Sequence, residues 1–198
     1  MPILTRRSLL ALPAALGLAP VAAQAARLTD DGLHTEEWFL ESFLDLKQDI
    51  EDAAAKSKRL ALTFEQRGCP ACAEMHEKQL ADPAISGYIR QHFEIIQINM
   101  FGAREVTDLD GKVLPEKQMA RRWAITATPT ILFLPEKPAV GSARDLASTR
   151  MQGLLPPPAF LAMFRFVAER AYEKMEFPAY LAQQQPGASS AAFSTPAN

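Results

Sequence analysis

Two cysteines separated by two residues are the most chemically informative feature of this sequence. Cys69 and Cys72 are the only cysteines of the 198-residue chain, and they follow an apolar run at residues 60–64. They stand at the predicted start of a helix, where unpaired N–H groups and the helix dipole stabilise a thiolate and lower the pKa of a thiol. Because this spacing lets the thiols close into a disulfide, the pair predicts a reversible thiol–disulfide couple.

The order of the two cysteines predicts a separate role for each. The thiolate is the attacking species in disulfide exchange, and the first cysteine of the helix is expected to lie nearer the surface. Cys69 is therefore predicted to attack a target disulfide, and Cys72, one turn deeper, to resolve the mixed disulfide that forms. Pro70 suits the first helical position, where a backbone N–H is not needed.

A zinc site and a permanent structural disulfide are the competing interpretations of the pair. His76 follows Cys72 by four residues and would share its helical face, but structural zinc takes four ligands and the other histidines, His34 and His92, are isolated. A disulfide that closes so short a loop constrains the unfolded chain very little. We interpret His76 as a satisfied, partly buried histidine, and we predict no metal and no cofactor besides the cysteine pair.

Residues 1–25 have the features of a removable export signal. The arginine pair Arg6 and Arg7 precedes an apolar stretch that is too short for a membrane span, and Ala23 and Ala25 supply a small-residue cleavage pattern. The arginine pair favours the twin-arginine route of bacteria, with an ordinary secretory signal or an uncleaved anchor as alternatives. The mature protein is predicted to be periplasmic, without stable membrane insertion.

Export determines which partners the cysteine pair needs. The periplasm is kept oxidising, so a reductase there requires electrons from across the membrane. The sequence has no glycine-rich nucleotide fingerprint and no flavin-binding pattern, which leaves a membrane thiol electron transporter as the expected donor. Loss of Arg6 and Arg7 with the signal changes the formal charge from −2 to −4, and no basic block suggests nucleic acid as a partner.

The rest of the chain predicts one α/β domain over residues 26–182, followed by a disordered tail at 183–198 that is rich in Gln, Ser, Ala and Pro. Apolar periodicity predicts helices and strands in alternation. The predicted helices are 36–56 (capped by Thr35), 69–80, 83–92, 115–123 and one that runs from the prolines at 156–158 to Met175. The predicted strands are 60–64, 93–100, 130–134 and 149–152, and Asp110-Gly111 is the predicted turn of a hairpin within 101–114. Together these elements predict an α/β fold with a central mixed sheet of about four to five strands and helices on both faces.

Thr128-Pro129-Thr130, directly ahead of a predicted strand, makes a family resemblance specific. Together with a Cys-Pro-Ala-Cys helix start after a strand, it resembles the thioredoxin superfamily. The resemblance implies a thioredoxin fold in which Pro129 is cis and faces the disulfide. Thr128 and Pro129 would then pair with a substrate chain like an added strand, beside Pro70 and Ala71. The alternative is a trans Pro129 that merely begins the strand.

Flanking residues narrow the resemblance to SoxW-type periplasmic thioredoxins. They are the runs 64–66, 68–70, 99–102, 104–108, 110–111 and 153–157, and the resemblance spans most of residues 36–181. It implies a reductase of protein disulfides that takes electrons from a membrane thiol transporter and keeps the cysteine of a sulfur-carrier protein reduced in sulfur oxidation. Similar exported thioredoxins serve cytochrome c maturation or disulfide repair. A disulfide-forming oxidant and a non-catalytic chaperone or metal-binding module remain as alternatives.

Departures from ordinary thioredoxin predict a different route for the proton. Thr63 falls where thioredoxin buries a proton-accepting aspartate, and Gly68 replaces a tryptophan. Glu65 is the nearest substitute, and it is predicted either to take the proton of Cys72 or to be a solvated residue at the strand end. The additional residues 101–114 are either a partner-recognition lip or a padded surface loop, and their aspartates, Asp108 and Asp110, are too few for a calcium site.

Overall fold

The computed structural model describes residues 27–184. The predicted export signal at residues 1–25 lies outside the described residues, and so does the predicted tail from residue 185 onwards. Residues 183 and 184, which we assigned to the tail, belong to the last helix.

Eight strands and seven α-helices make up the described chain. The strands are β1 (Arg27–Leu28), β2 (His34–Thr35), β3 (Arg59–Glu65), β4 (Phe93–Asn99), β5 (Glu105–Thr107), β6 (Val113–Pro115), β7 (Thr130–Phe133) and β8 (Thr149–Gln152). The helices are α1 (Leu46–Ala55), α2 (Pro70–Glu74), α3 (Pro83–His92), α4 (Glu116–Arg122), α5 (Ala143–Leu146), α6 (Pro157–Ala168) and α7 (Phe177–Gln184). A π-helical turn, Met75–Leu80, continues α2, and a 3-10 turn, Ala171–Glu173, follows α6.

The central sheet has four strands in the order β4-β3-β7-β8. β3 and β4 are parallel, because α2 and α3 carry the chain back across one face, whereas β3–β7 and β7–β8 are antiparallel. β1–β2 and β5–β6 form two separate hairpins. The mixed sheet with helices on both faces, and the hairpin around Asp110-Gly111, are therefore confirmed.

Alternate residues of β3 face two hydrophobic cores. Leu60, Leu62 and Phe64 pack against α1 and α4, and Ala61 packs on the opposite face with the π-helical turn, α3 and α6. Since successive strand residues point to opposite faces, Thr63 and Glu65 lie on the same face as Ala61. This is also the face that the cysteine-bearing helix covers.

The predicted helix at residues 36–56 is wrong in its first ten residues, because α1 begins only at Leu46. Asp45 caps it by accepting hydrogen bonds from the backbone N–H groups of Lys47 and Gln48. Leu44 has a left-handed backbone (φ 62°), which interrupts any helix arriving from residue 36. Phe43, which lies within the predicted helix, is fully exposed.

Residues 34–40 instead lie along the outer edge of β4. The Leu40 N–H donates to the Ile95 carbonyl at 2.7 Å, and the Gln97 side-chain amide donates to the His34 carbonyl. The segment therefore provides hydrogen-bond partners for polar groups at this edge of the sheet. It also buries Glu36, of which only 7% is exposed.

The predicted closing helix that runs to Met175 is also divided. α6 ends at Ala168, Arg170 adopts a left-handed backbone (φ 56°), and the 3-10 turn leads into α7. The apolar periodicity continues across this break, because Val167, Ala171 and Tyr180 all pack into the same core. Periodicity alone therefore did not reveal the end of the helix.

Candidate active site

The end of β3 and the start of α2 place both cysteines at one end of the sheet. Gly68 connects the two elements in a left-handed conformation (φ 69°) that residues with a side chain rarely adopt. Cys69 is the N-cap of α2, and Pro70 takes the first helical position, as predicted. The loop conformation therefore directs the Cys69 sulfur to the exposed N–H groups of the helix.

Cys69 and Cys72 form a disulfide, with their Cα atoms 5.2 Å apart. Cys69 is 6% exposed and Cys72 only 1%, which matches the predicted difference in depth. The Cys69 sulfur also accepts a hydrogen bond from the Cys72 N–H at 3.1 Å. The same N–H would stabilise negative charge on Cys69 after reduction.

The Thr128–Pro129 peptide bond is cis, as the family resemblance implies. The Thr128 hydroxyl donates to the Cys69 sulfur at 3.3 Å, so this loop lies directly against the disulfide. The Gly153 N–H donates to the Pro129 carbonyl at 2.8 Å and ties the loop to the chain that leaves β8. Of the residues between the cysteines, Pro70 is exposed and Ala71 is half-buried.

Glu65 is completely buried, so the alternative of a solvated strand-end residue is wrong. Its carboxylate accepts a hydrogen bond from the Thr63 hydroxyl at 3.3 Å. Both of its oxygens also lie near Nε2 of His76, at 3.2 and 3.1 Å. Thr63, which the family resemblance assigns to the position of the aspartate, thus supports an acid two residues further along the strand.

His76 links Glu65 to a second buried carboxylate. Its Nδ1 lies 2.8 Å from Oε1 of Glu36, and its side chain is fully buried. Burial lowers the pKa of His76, but the hydrogen bonds and charges of Glu36 and Glu65 outweigh burial and raise that pKa to about 9. Since both ring nitrogens face carboxylates, only the imidazolium, with two N–H donors, satisfies both contacts at neutral pH.

This buried group, which we call the Glu-His-Glu unit (Glu36, His76 and Glu65), is connected to the cysteine pair through the helical run that carries His76. His76 is four residues after Cys72 in the continuous helical run, and side chains at this spacing share a helical face, with Cβ atoms about 5–6 Å apart. The spacing of His76 from Cys72 is visible in the sequence, although we did not predict His76 as a site residue. Glu36 was not predicted at all, because no local pattern connects residues 40 positions apart.

The acidic residues of the additional hairpin have structural contacts. Asp108 accepts hydrogen bonds from Trp123 and Arg122, and Asp110 pairs with Arg122. Within residues 27–184, no cluster of three or more His, Cys, Asp or Glu side chains is arranged to hold a metal ion. Across the same residues, no helix combines the length and the apolar character needed to cross a membrane.

Comparisons with known proteins agree with this geometry. A family model described as a thioredoxin-like domain matches residues 46–168. No curated protein matches the chain. A thioredoxin-fold protein from Helicobacter pylori is 22% identical with a TM-score of 0.51, over 64% of this chain and 84% of that one.

Two further solved structures are similar at lower TM-scores. A thioredoxin from Thermus thermophilus is 25% identical with a TM-score of 0.47, over 62% of this chain and 83% of that one. A putative disulphide-isomerase from Bacteroides thetaiotaomicron is 18% identical with a TM-score of 0.49, over 78% of this chain and 99% of that one.

Proposed function

Because this chain belongs to the thioredoxin-like family, we propose that it is a thiol–disulfide oxidoreductase that reduces disulfides of exported proteins. The observation that carries the proposal is the position of Cys69. Its sulfur caps a helix, touches the Thr128 hydroxyl and pairs with the deeper Cys72. A thiol at such a position is activated as a nucleophile and has a resolving partner beside it.

The reaction proceeds through two sulfur exchanges. The Cys69 thiolate attacks one sulfur of the target disulfide; a Cys69–target bond forms, and the other target sulfur leaves as a thiolate with the electron pair of the broken bond. Cys72 then loses its proton and attacks Cys69, which releases the second target thiolate and closes the Cys69–Cys72 disulfide. The target gains two electrons, and the two released thiolates take protons from water.

Three groups of residues around the disulfide support these two exchange reactions. Thr128 and Pro129 offer backbone beside Cys69 for pairing with an extended target segment, and the exposed Pro70 and half-buried Ala71 border the same approach. Glu65, buried on the face of the sheet that α2 covers, accepts the proton of Cys72 in the resolving step.

The cellular setting of the proposal rests on the sequence. The predicted twin-arginine signal places the mature protein in the periplasm, where a membrane thiol electron transporter would reduce the Cys69–Cys72 disulfide after each cycle. The resemblance to SoxW-type proteins supports the cysteine of a sulfur-carrier protein as a physiological target.

Trapping the mixed disulfide in cells tests the proposal. With Cys72→Ser, the target should remain attached to Cys69 and be recovered as a complex that a thiol reductant releases, whereas Cys69→Ser should capture nothing. In wild-type cells, rapid alkylation should find the pair reduced, and it should become oxidised when the membrane donor is deleted.

Two other results would contradict the proposal, and each would favour a different function. A pair that stands oxidised in wild-type cells would make the protein a disulfide-forming oxidant. Full biological activity of a Cys69→Ser, Cys72→Ser double variant would make it a non-catalytic binding module.

A further inference from the structure

The Glu-His-Glu unit brings a residue from outside the matched family domain to the candidate active site. Glu36 precedes the matched residues 46–168 and reaches His76 from the segment that covers the edge of β4. Its carboxylate is almost as deeply buried as that of Glu65, with side-chain exposures of 5% and 0%. A buried carboxylate is costly unless it is paired, so the contact with His76 is what accommodates Glu36 in this position.

The contacts determine the charge of the unit. An imidazolium between two carboxylates leaves one net negative charge in a buried environment. The Thr63 hydroxyl contributes a hydrogen bond but no charge. His34 also lies beside the unit, with its ring centre 6.0 Å from that of His76. Cys72 precedes His76 by four residues in the same helical run, a spacing that puts the two side chains on one helical face.

This net charge determines the free-energy cost of transferring a proton from Cys72 to Glu65. When Glu65 takes that proton, the unit becomes neutral and Cys72 becomes negative, so a buried charge moves but none is created. Without the carboxylate of Glu36, the unit begins neutral and becomes positive while Cys72 becomes negative. Two buried charges of opposite sign then have to be created, which is unfavourable in a poorly solvated site.

We propose that Glu36 is a positioning residue for the resolving step, acting through His76 to let Glu65 accept the proton of Cys72 internally. This inference rests on the proposed function, because it concerns the same exchange between Cys69 and Cys72. The segment ahead of the family domain is therefore a part of the active site and also a cover for the sheet edge.

The proposal predicts a difference in the pH dependence of resolution. The reduced protein is mixed with an aromatic disulfide that releases a coloured thiol on each exchange. Attack by Cys69 gives a phase whose rate depends on reagent concentration, and attack by Cys72 gives a second phase that does not. In the wild type, the rate of the second phase should change less than about twofold between about pH 6 and 8, because the proton stays inside the protein.

The test variant is Glu36→Gln, which keeps the shape and a hydrogen-bond acceptor for Nδ1 of His76 but removes the charge. Its second phase should be slower at neutral pH and should rise by about tenfold per pH unit, as expected for a thiol that ionises to solvent. Glu41→Gln is the matched control, since it makes the same chemical change at an exposed position directly after residues 34–40. Its profile should match that of the wild type.

The two phases separate failure of this inference from failure of the proposed function. If the first phase is absent in the wild type, Cys69 is not a nucleophile and the proposed function fails. If the first phase is normal but the second phase of Glu36→Gln follows the wild-type profile, only the role of Glu36 is overturned.

Nitrogen NMR of the wild-type protein measures the protonation of the His76 ring directly, so this test does not depend on the folding of a variant. Both ring nitrogens of His76 should carry protons at pH 7, in agreement with two carboxylate partners. A neutral ring at that pH would remove the charge arrangement and overturn the proposal.

Discussion

Two buried carboxylates in this protein, Asp108 and Glu65, have opposite kinds of partners. Asp108 accepts hydrogen bonds from five groups that keep their protons at any ordinary pH. They are the backbone N–H groups of Leu109 and Ala143, the Arg122 guanidinium, the Trp123 indole and the Ser142 hydroxyl. Asp108 therefore connects the β5–β6 hairpin to α4 and α5 by hydrogen bonds. Because none of its donors titrates near neutral pH, we assign it a structural role.

The Glu65 side chain is equally buried but has fewer partners, and one of them titrates. Its contacts are the Thr63 hydroxyl and the His76 ring, whose pKa is raised to about 9 and which is shared with Glu36. Burial alone therefore does not identify a functional acid. The nature of the donors distinguishes a carboxylate that is part of the framework from one that can exchange a proton.

The largest expected effect would confirm the structural role of Asp108. Asp108→Asn removes the charge that pairs with Arg122 and turns one acceptor into a donor that faces other donors, so the free energy of unfolding should fall by about 3–5 kcal/mol. Chemical denaturation measures this change. Asp110→Asn, at the exposed partner of the same arginine, is the control and should lower the free energy of unfolding by less than about 1 kcal/mol. Equal losses in the two variants would contradict the comparison.

The next effect is the pH dependence of stability that His76 confers. Unfolded His76 releases its proton near the ordinary pKa of 6.5, whereas folded His76 holds it to about 9. The native state therefore binds more protons in this interval, and its extra stability is complete below about pH 6.5 and is lost as the pH rises towards about 9. The loss should approach about 3 kcal/mol.

Denaturation of the disulfide form, in which the cysteines do not titrate, measures this loss. His76→Gln should flatten the decline, and His92→Gln, at the end of α3, should leave it unchanged. A wild-type stability that stays constant over this interval would show that the two carboxylates do not hold the proton on His76.

The smallest expected effect is on the rate of the resolving step, which should depend on Glu65 but not on Asp108. Glu65→Gln should slow the concentration-independent, resolving phase several-fold, which corresponds to about 1 kcal/mol in the activation barrier. Asp108→Asn, measured where it is fully folded, should leave that phase unchanged. An unaltered resolving rate in Glu65→Gln would remove its role as the proton acceptor.

Local patterns were sufficient to predict the cysteine-bearing helix start, the parallel β3–β4 pair and the β5–β6 hairpin. In each case the signal lies within a few residues: a capping position, an apolar run or an Asp-Gly turn. The helix predicted at residues 36–56 was wrong because its apolar spacing also suits an irregular segment that packs against β4. Asp45 and the left-handed Leu44 decide where the helix begins.

The Glu-His-Glu unit could not be predicted for a different reason. Glu36 and His76 are 40 residues apart, and their contact depends on how residues 34–40 lie along the edge of β4. The position of Glu65 after the apolar run was visible, whereas its burial was not. A contact of this kind is a property of the assembled fold and leaves no periodic signal in the sequence.

The covering of β4 by residues 34–40 has a consequence for how these molecules behave at high concentration. An uncovered edge strand is a template on which another chain can add by β-pairing, and β4 carries the apolar residues Ile95, Ile96 and Ile98. The opposite edge, β8, is only four residues long and includes Arg150, which discourages such addition. Residues 34–40 thus cover the edge on which another chain could add, and we expect their removal to favour aggregation.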